Sequence, residues 1–395
     1  MSATKQRICV VATKAITIRT FLLDQLVFLS KNGFDITIIC DYDQDLSATC
    51  PKELNYLTVP MERSTSVFST VLGIYLLFKI LRKNRFDMMQ YCTPKAAFVS
   101  SLASWLAGVP VRLYCQWGIR YVGMTGLPRN VLKLVEKIIC RLSTHISPDS
   151  YGNLDFSMSE GIYEKNKASV VHFGSANGVD LNRFDFYKRS GWRAETRMEL
   201  GLSETDFVFG WVGRVTRDKG VSELIGAFRE VVGIDSNSHL LMVGGTDENH
   251  GLPNEVISRI SLHPNIHYIG PKKTVEKYYA AMDILVAPSY REGFGVVALE
   301  AQALGVPVIT TDIPGPREAV VDGKTGLLVP VAQISPLVTA MLRLKNDTAL
   351  IKLMGEEGIK YVQSHFEQGV FWFKVLEHRK NLLHGRHTVS GQSIK

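Results

Sequence analysis

The feature that most constrains this chain is a strand–helix rhythm that runs through its first half and starts again in its second. "RICVVAT" (7–13) reads as a buried strand, "TFLLDQLVFLSKNG" (20–33) as an amphipathic helix closed by Asn-Gly, and "FDITIICD" (34–41) as a second strand. "FDMMQYC" (86–92), "AAFVSSLASWLAG" (96–108) and "VPVRLYCQWG" (109–118) repeat the pattern. It resumes at "DFVFGWVGR" (206–214), "GVSELIGAFREVV" (220–232) and "HLLMVGG" (239–245). "NIHYIG" (265–270), "TVEKYYAAM" (274–282), "DILVAPS" (283–289), "GVVALEAQALG" (295–305) and "PVITTD" (307–312) carry it on. Strands alternating with helices of this length require parallel sheets covered on both faces.

A chain of 395 residues is too long for one hydrophobic core and suits two domains. The polar stretch "SANGVDLNRFDFYKRSGWR" between the two rhythms reads as a linker. The expected fold is α/β, two doubly wound, Rossmann-like domains: a first over 1–180 and a second over 181–365, with about 366–395 returning to the first. Ligands are expected at the carboxyl ends of the strands, in the crevice between the domains.

Charge is uneven. Residues 1–180 carry 20 Lys and Arg against 14 Asp and Glu, which accounts for most of the net +7. A basic first half suits an anionic surface or substrate, and equally a soluble face with a few extra lysines. The six cysteines (Cys9, Cys40, Cys50, Cys92, Cys115, Cys140) form no CxxC pair and sit in strand-like settings, so buried thiols in a reducing compartment are expected. "MSATKQRICVVATK" is too polar for a signal peptide. "VLGIYLLFKILRK" (71–83) is interrupted by Lys79 well short of the roughly 20 apolar residues that span a bilayer. A cytoplasmic protein is expected, peripheral at most on a membrane. Nucleic acid is not an expected partner.

Two segments carry the candidate chemistry. In "GWVGRVTRDKG" a strand ends at Gly213, and Arg214 and Lys219 lie before the following helix. A glycine turn from strand to helix flanked by two cations suits a diphosphate, although cations beside a surface loop would read the same way. The segment is neither a Walker A loop nor GxGxxG. In "APSYREGFGVVALEAQALG" the strand ends at Pro288-Ser289, Glu292 falls in the loop, and Glu300 lies about one and a half turns into the next helix. Carboxylates in an apolar run are costly unless paired or used. Glu292 is suited to the hydroxyls of a sugar and Glu300 to vicinal ribose hydroxyls, although a helix-capping acid and an unrelated surface acid would show the same spacing. The N–H groups of Gly293, Phe294, Gly295, Val296 and Val297 would meet an anion at the helix start.

"REGFGVVALEAQALGVPVITTDIPGPREAVVDGKTGLLVP" resembles the signature of the retaining glycosyltransferases of family four. "VGRVTRDKG", "NGVDLNRF" and "LMVGG" followed by "IHYIG" are similar to further blocks of that family in the same order. The resemblance covers most of residues 172–330. It implies a GT-B architecture, a nucleotide-sugar donor as substrate, and no metal or other cofactor. It implies that Arg214 and Lys219 hold the donor diphosphate, Glu292 the donor sugar and Glu300 the ribose. Tyr268 and Gly270 would then lie near the base, and Gly315 would approach the donor. Retention would follow from the departing phosphate taking the acceptor's proton.

The first domain departs from the family pattern. "VVATKAITIRT" has no glycine after the first strand, and Gln116, Trp117 and Arg120 stand where relatives carry a histidine. These three are candidates for acceptor or phosphate contacts, and His172 is expected to be structural. "QWGIRYVGMTG" and "GSANGVD" resemble bacterial enzymes that extend lipid-linked oligosaccharides for O-antigen, capsule or related lipopolysaccharide and polysaccharide assembly. That implies an undecaprenyl-diphosphate-linked glycan acceptor and a UDP-sugar donor. Arg129, Lys133, Lys137 and Arg141, four apart on "LPRNVLKLVEKIICRLSTH", form a basic stripe that suits an anionic membrane surface or the polar side of a packed helix. The competing functional class is a UDP-N-acetylhexosamine epimerase of similar architecture. A non-catalytic sugar-nucleotide binder or an NAD-dependent oxidoreductase comes third, and the missing GxGxxG counts against the latter.

Overall fold

The computed structural model describes residues 5–61, 66–246, 257–258, 260 and 262–385. The chain forms two compact units, one of residues up to Asn177 together with those from Gly369 on, the other of Gly178–Gln368. Residues 386–395 of the expected carboxyl-terminal return lie outside the described residues.

The first unit holds one six-stranded sheet of β1 (Gln6–Val11), β2 (Phe34–Cys40), β3 (Leu54–Thr58), β4 (Met88–Tyr91), β5 (Val111–Gln116) and β6 (His145–Pro148), in the order β3-β2-β1-β4-β5-β6. Every pairing is parallel. β4 is buried at all four residues and β1 from Ile8 onward, the pattern of strands covered on both faces. Helices Val67–Asn84, Pro94–Ala107 and Gly126–Leu142 close one face through Leu77, Leu81, Ala97, Val99 and Ile139. The other face is closed by Ala15–Phe21, Leu23–Lys31 and the last helix, Gln368–Leu383, whose Phe371 and Val375 enter that core. Burying such a side chain contributes roughly 1.5–3 kcal/mol. The sequence pattern predicts one helix over 20–33; the chain instead begins helical at Ala15 and breaks at Leu22, where φ is −122°.

The second unit repeats the topology with β7 (Phe207–Val212), β8 (Ser238–Val243), β9 (Ile266–Gly270), β10 (Ile284–Ala287), β11 (Val308–Thr311) and β12 (Gly326–Val329), in the order β12-β11-β10-β7-β8-β9. These pairings are parallel too. In each unit the first and fourth strands are central neighbours, and the connections leave them in opposite directions. That reversal is where an open α/β sheet offers a crevice outside its carboxyl edge. Each unit is thus a doubly wound, Rossmann-like domain, as the strand–helix rhythm requires.

All six cysteines are free thiols, five of them buried. No helix among the described residues is long and apolar enough to cross a membrane.

Candidate active site

The reversal of the second sheet lies between β7 and β10. Three loops leave the carboxyl edge there, and two glycines let them touch. Gly220 (φ +66°) brings the loop after β7 against Pro288, whose carbonyl oxygen would lie 1.9 Å from an added Cβ. Gly315 (φ +92°) brings the loop after β11 against Gly293 O, 2.1 Å from where a Cβ would stand. Neither backbone conformation nor spacing admits a side chain. The Tyr290 N–H donates to Asp218 O at 2.9 Å, a second tie between the first two loops.

These contacts put Lys219 and Glu292 in direct ion pairing, with Nζ on Oε1. Both side chains are largely shielded, at 19% and 17% exposure, so the pair is screened less than a surface one. The Ser289 hydroxyl donates to the same Glu292 oxygen at 2.9 Å. Asp218 accepts from Arg291 at 2.9 Å. Burial would raise its carboxyl, but the Thr216 hydroxyl and the charges of Arg291, Lys219 and Arg214 together hold it below its ordinary value. Arg214 is exposed at the end of β7. The loop edge thus gathers three cations within mutual electrostatic reach, with Lys219 paired to Glu292 and Arg291 to Asp218.

Helix Val296–Ala303 starts from Gly295 (φ +89°) with no side-chain cap. Its first intrahelical donor is Ala298, to Gly295 O at 2.9 Å. By position, the N–H groups of Val296 and Val297 point out of the helix start, as an anion site requires. Phe294 is 3% exposed and packs on Phe366 with ring centroids 5.3 Å apart. Its side chain serves the core, and only its backbone belongs to the loop.

Glu300, half-buried on this helix, accepts a 2.7 Å bond from the Tyr279 hydroxyl. Burial pushes its carboxyl up to about 7, against the opposing influence of Tyr279 and the positive charge of Arg183. Arg183 is held by Glu276 at 3.2 Å. A carboxyl poised near neutrality accepts hydrogen bonds from hydroxyls and gains charge as it does so. Gly213, Tyr268 and Gly270 lie at the carboxyl edge of β7 and β9: the Gly213 N–H donates to Val243 O at 3.0 Å, and the Gly244 N–H donates to Gly270 O at 2.9 Å. Burial raises the Tyr268 hydroxyl above its ordinary range.

In the first unit the three candidates separate. Gln116 is fully buried, and its amide is consumed in the core. Its Nε2 donates to Glu136 Oε1 at 2.6 Å, and its oxygen accepts from Tyr163 at 2.9 Å and Ser157 at 3.3 Å. The Gln116 oxygen and one amide hydrogen are thus taken up by a buried network rather than turned to a ligand. Trp117 is half-buried beside a cavity of about 20 Å³, too small for a sugar, that Arg379, Gln90 and Asp149 also line. Arg120 is exposed. His172 adopts φ +55° and packs its ring against Phe173 at 4.5 Å. The basic stripe is partly spent inside the unit, since Arg129 and Lys133 both bind Glu160, at 2.6 and 2.8 Å.

Sequence reasoning missed Ser289, Arg291, Tyr279 and Arg183. Ser289 and Arg291 flank the loop glutamate and were findable from that position. Tyr279 and Arg183 come from distant segments and carried no local signal.

Residues 193–361 match the family model of group 1 glycosyl transferases, and residues 7–150 match the model of glycosyl transferase 4-like domains. Over 348 residues the chain is 30% identical to the capsular polysaccharide biosynthesis glycosyltransferase CapM of Staphylococcus aureus, covering 88% of this chain and 90% of that one. It is 25% identical over 335 residues to an Escherichia coli UDP-Gal:alpha-D-GlcNAc-diphosphoundecaprenol alpha-1,3-galactosyltransferase, covering 83% and 84%. Sucrose-phosphate synthase from Thermosynechococcus elongatus superposes with a TM-score of 0.79 at 19% identity, covering 96% of this chain and all of that one. Doubly wound units, a cationic strand-to-helix turn paired to a loop glutamate, and full-length similarity converge: the chain belongs to the group 1 glycosyltransferases of GT-B fold.

Proposed function

We propose that this glycosyltransferase moves a hexose or N-acetylhexosamine from a UDP-sugar to a hydroxyl of an undecaprenyl-diphosphate-linked oligosaccharide. The anomeric configuration is retained, no metal takes part, and the product feeds capsule, O-antigen or related polysaccharide assembly at the cytoplasmic membrane face. The observation that carries this reading is the Lys219–Glu292 pair beside Arg214 at the sheet's reversal. Breaking a glycosyl–phosphate bond leaves negative charge on the diphosphate. Fixed cations and the N–H groups at the start of Val296–Ala303 oppose that charge where it grows.

Glu292, held by Lys219 and Ser289, accepts from the donor sugar's hydroxyls, and Glu300 accepts from the ribose. Tyr268 and Gly270 border the base. The departing phosphate oxygen takes the acceptor's proton on the face it leaves. The Escherichia coli relative's name, which pairs a UDP-sugar with a diphosphoundecaprenol-linked acceptor, supports the choice of both substrates. The capsular relative supports the biosynthetic setting.

An epimerase needs an acid that can protonate its substrate. A glutamate whose oxygen already accepts from an ammonium and a hydroxyl is poorly suited to that task. The purified chain, incubated with a panel of UDP-sugars and a synthetic lipid-diphosphate sugar, should release UDP and lengthen the acceptor by one sugar. Interconversion of UDP-sugars without UDP release would establish the epimerase instead.

A further inference from the structure

Helices Val67–Asn84, Pro94–Ala107 and Gly126–Leu142 pack side by side on one face of the first sheet. Each follows a strand of a parallel sheet and leads to the next strand, so the three run in one direction with their amino ends at the sheet's carboxyl edge. At that end Val67, Phe68 and Val71 of the first helix and Leu127 and Val131 of the third are between 51% and 78% exposed, and Leu134, midway along the third, is 59% exposed. The latter three are spaced i, i+4, i+7, a single stripe turned away from the core. Solvated helices rarely present so many large apolar side chains together.

The charge on the same three helices is one-sided. They carry eight Lys and Arg and one acid, Glu136, which is buried against Gln116. None of the three helices therefore places a carboxylate of its own on their outer surface; Glu160, from the segment that follows, is held there by Arg129 and Lys133. Lys79, Arg82, Lys83, Lys137 and Arg141 lie toward the carboxyl-terminal halves, behind the apolar tips. There a groove of about 420 Å³, floored by Leu134, Ile138 and Ile162, is rimmed by Lys137, Arg141 and Lys167. Apolar tips ahead of a basic band complement the hydrocarbon edge and anionic headgroups of one lipid leaflet.

We propose that this three-helix face seats the first unit on an anionic membrane surface. Phe68, Val71, Leu127 and Val131 enter the leaflet, and the cations behind them meet phosphate headgroups. The carboxyl edge of the first sheet is thereby held at the depth where the head of a lipid-linked acceptor lies. The proposal rests on the lipid-linked acceptor proposed above, and it reassigns the membrane charge. Arg129 and Lys133 are tied to Glu160, so the charge that binds is supplied by Lys79, Arg82, Lys83, Lys137 and Arg141.

The full chain should sediment with vesicles of phosphatidylcholine and phosphatidylglycerol at low salt, should bind pure phosphatidylcholine far less, and should detach at high salt. Phe68→Asp with Val71→Asp, and separately Leu127→Asp with Val131→Asp, should each cut the bound fraction by about tenfold or more. Met198→Asp with Leu353→Asp, exposed in the second unit, should change nothing. Phe68→Trp, which keeps the face apolar, should add a blue-shifted emission component on mixing with the anionic vesicles. A wild-type chain left in the supernatant, face variants that bind as well as wild type, or a Phe68→Trp variant whose emission does not shift overturns the proposal. So does a concentration-dependent dimer that Phe68→Asp dissolves, since the face would then belong to a second copy. Transfer to a short-chain, water-soluble acceptor separates the two readings. Normal transfer without vesicle binding sinks the docking face alone, and vesicle binding without any transfer sinks the substrate assignment alone.

Discussion

The two sheets share one strand order, yet the reversals at their centres are built for different ends. In the first unit β1 and β4 are joined by hydroxyls: Thr13 Oγ1 and Thr93 Oγ1 stand 2.8 Å apart, and the Thr13 hydroxyl oxygen accepts the Ala96 N–H at 3.2 Å. Thr93 takes φ +65° to make this fit, a conformation costly for a β-branched residue. The start of helix Pro94–Ala107 is thus satisfied by the protein itself. In the second unit helix Val296–Ala303 starts on a glycine with no side-chain cap; the neighbouring loop brings Arg214 and Lys219, and the helix's own loop brings Arg291. Topology made two crevices; among the described residues the first closes its helix start with hydroxyls, and the second sets three cations beside an uncapped one. The fold repeats and the chemistry does not, because chemistry lives in the loops.

The sharpest break of this comparison is to remove the charges. Lys219→Ala, Arg214→Ala and Glu292→Gln should each lower kcat by about 10²–10³, with the thermal transition little changed, measured by UDP release and by calorimetry. Turnover near wild type in any of the three would place the reacting centre elsewhere.

Next come the two units' structural dependences, which should differ in kind. Gln116→Ala leaves Glu136, Tyr163 and Ser157 without their shared partner in a buried network, so a loss of about 2–4 kcal/mol is expected. The folded fraction should keep its affinity for UDP. Gly220→Ala forces a Cβ onto the Pro288 carbonyl at positive φ. It should destabilise the second unit by a similar amount and also weaken UDP binding, since the displaced loop carries Lys219. Denaturant titration and UDP calorimetry on both variants would show whether stability and donor binding separate in one unit and travel together in the other.

Glu300 tests whether the second unit's site costs stability. Its carboxyl titrates at about 7 in the folded chain, above its ordinary 4.5. The folded protein therefore binds more protons than the unfolded one between those values. Stability falls as pH rises through that window, and the cost is complete above it. Glu300→Gln keeps an acceptor for Tyr279 and removes the charge. It should gain about 1–3 kcal/mol at a pH of roughly 8 and nothing at a pH of roughly 4. UDP affinity should rise more steeply in the wild type than in the variant as pH climbs through about 7, because the ionised carboxyl accepts better from ribose hydroxyls while titration of the UDP phosphate is common to both.

Much of this was legible in the sequence because it is local. Period-two and period-3.6 patterns point to parallel sheets in two units. The strand-end positions of Gly213, Lys219 and Glu292 put them on one sheet edge before any contact was known. What stayed hidden depends on which distant segments meet. Nothing near Glu300 announces Tyr279, 21 residues away, as its partner. Gln116 reads as a candidate beside Trp117 until Glu136, 20 residues on, occupies its amide. The basic stripe looks uniform along its helix, and only folding brings Glu160 onto Arg129 and Lys133. Burial of a polar side chain is a long-range property, so short-range patterns place residues on edges without saying which are already engaged.

The smallest effect should come from the first unit's own reversal. Thr13→Val keeps the shape and removes the hydroxyl that Ala96 N–H and Thr93 share. Losing a helix-start acceptor of this kind costs about 0.5–2 kcal/mol. Here the donor is buried, which favours the upper part of that range. Because that hydroxyl serves the helix rather than an anion, UDP affinity and kcat on a water-soluble acceptor should stay at wild-type values while the unfolding midpoint drops. A drop in donor affinity as large as that of Lys219→Ala would mean that the first reversal also binds the nucleotide, and the division of labour between the two sheets would fail.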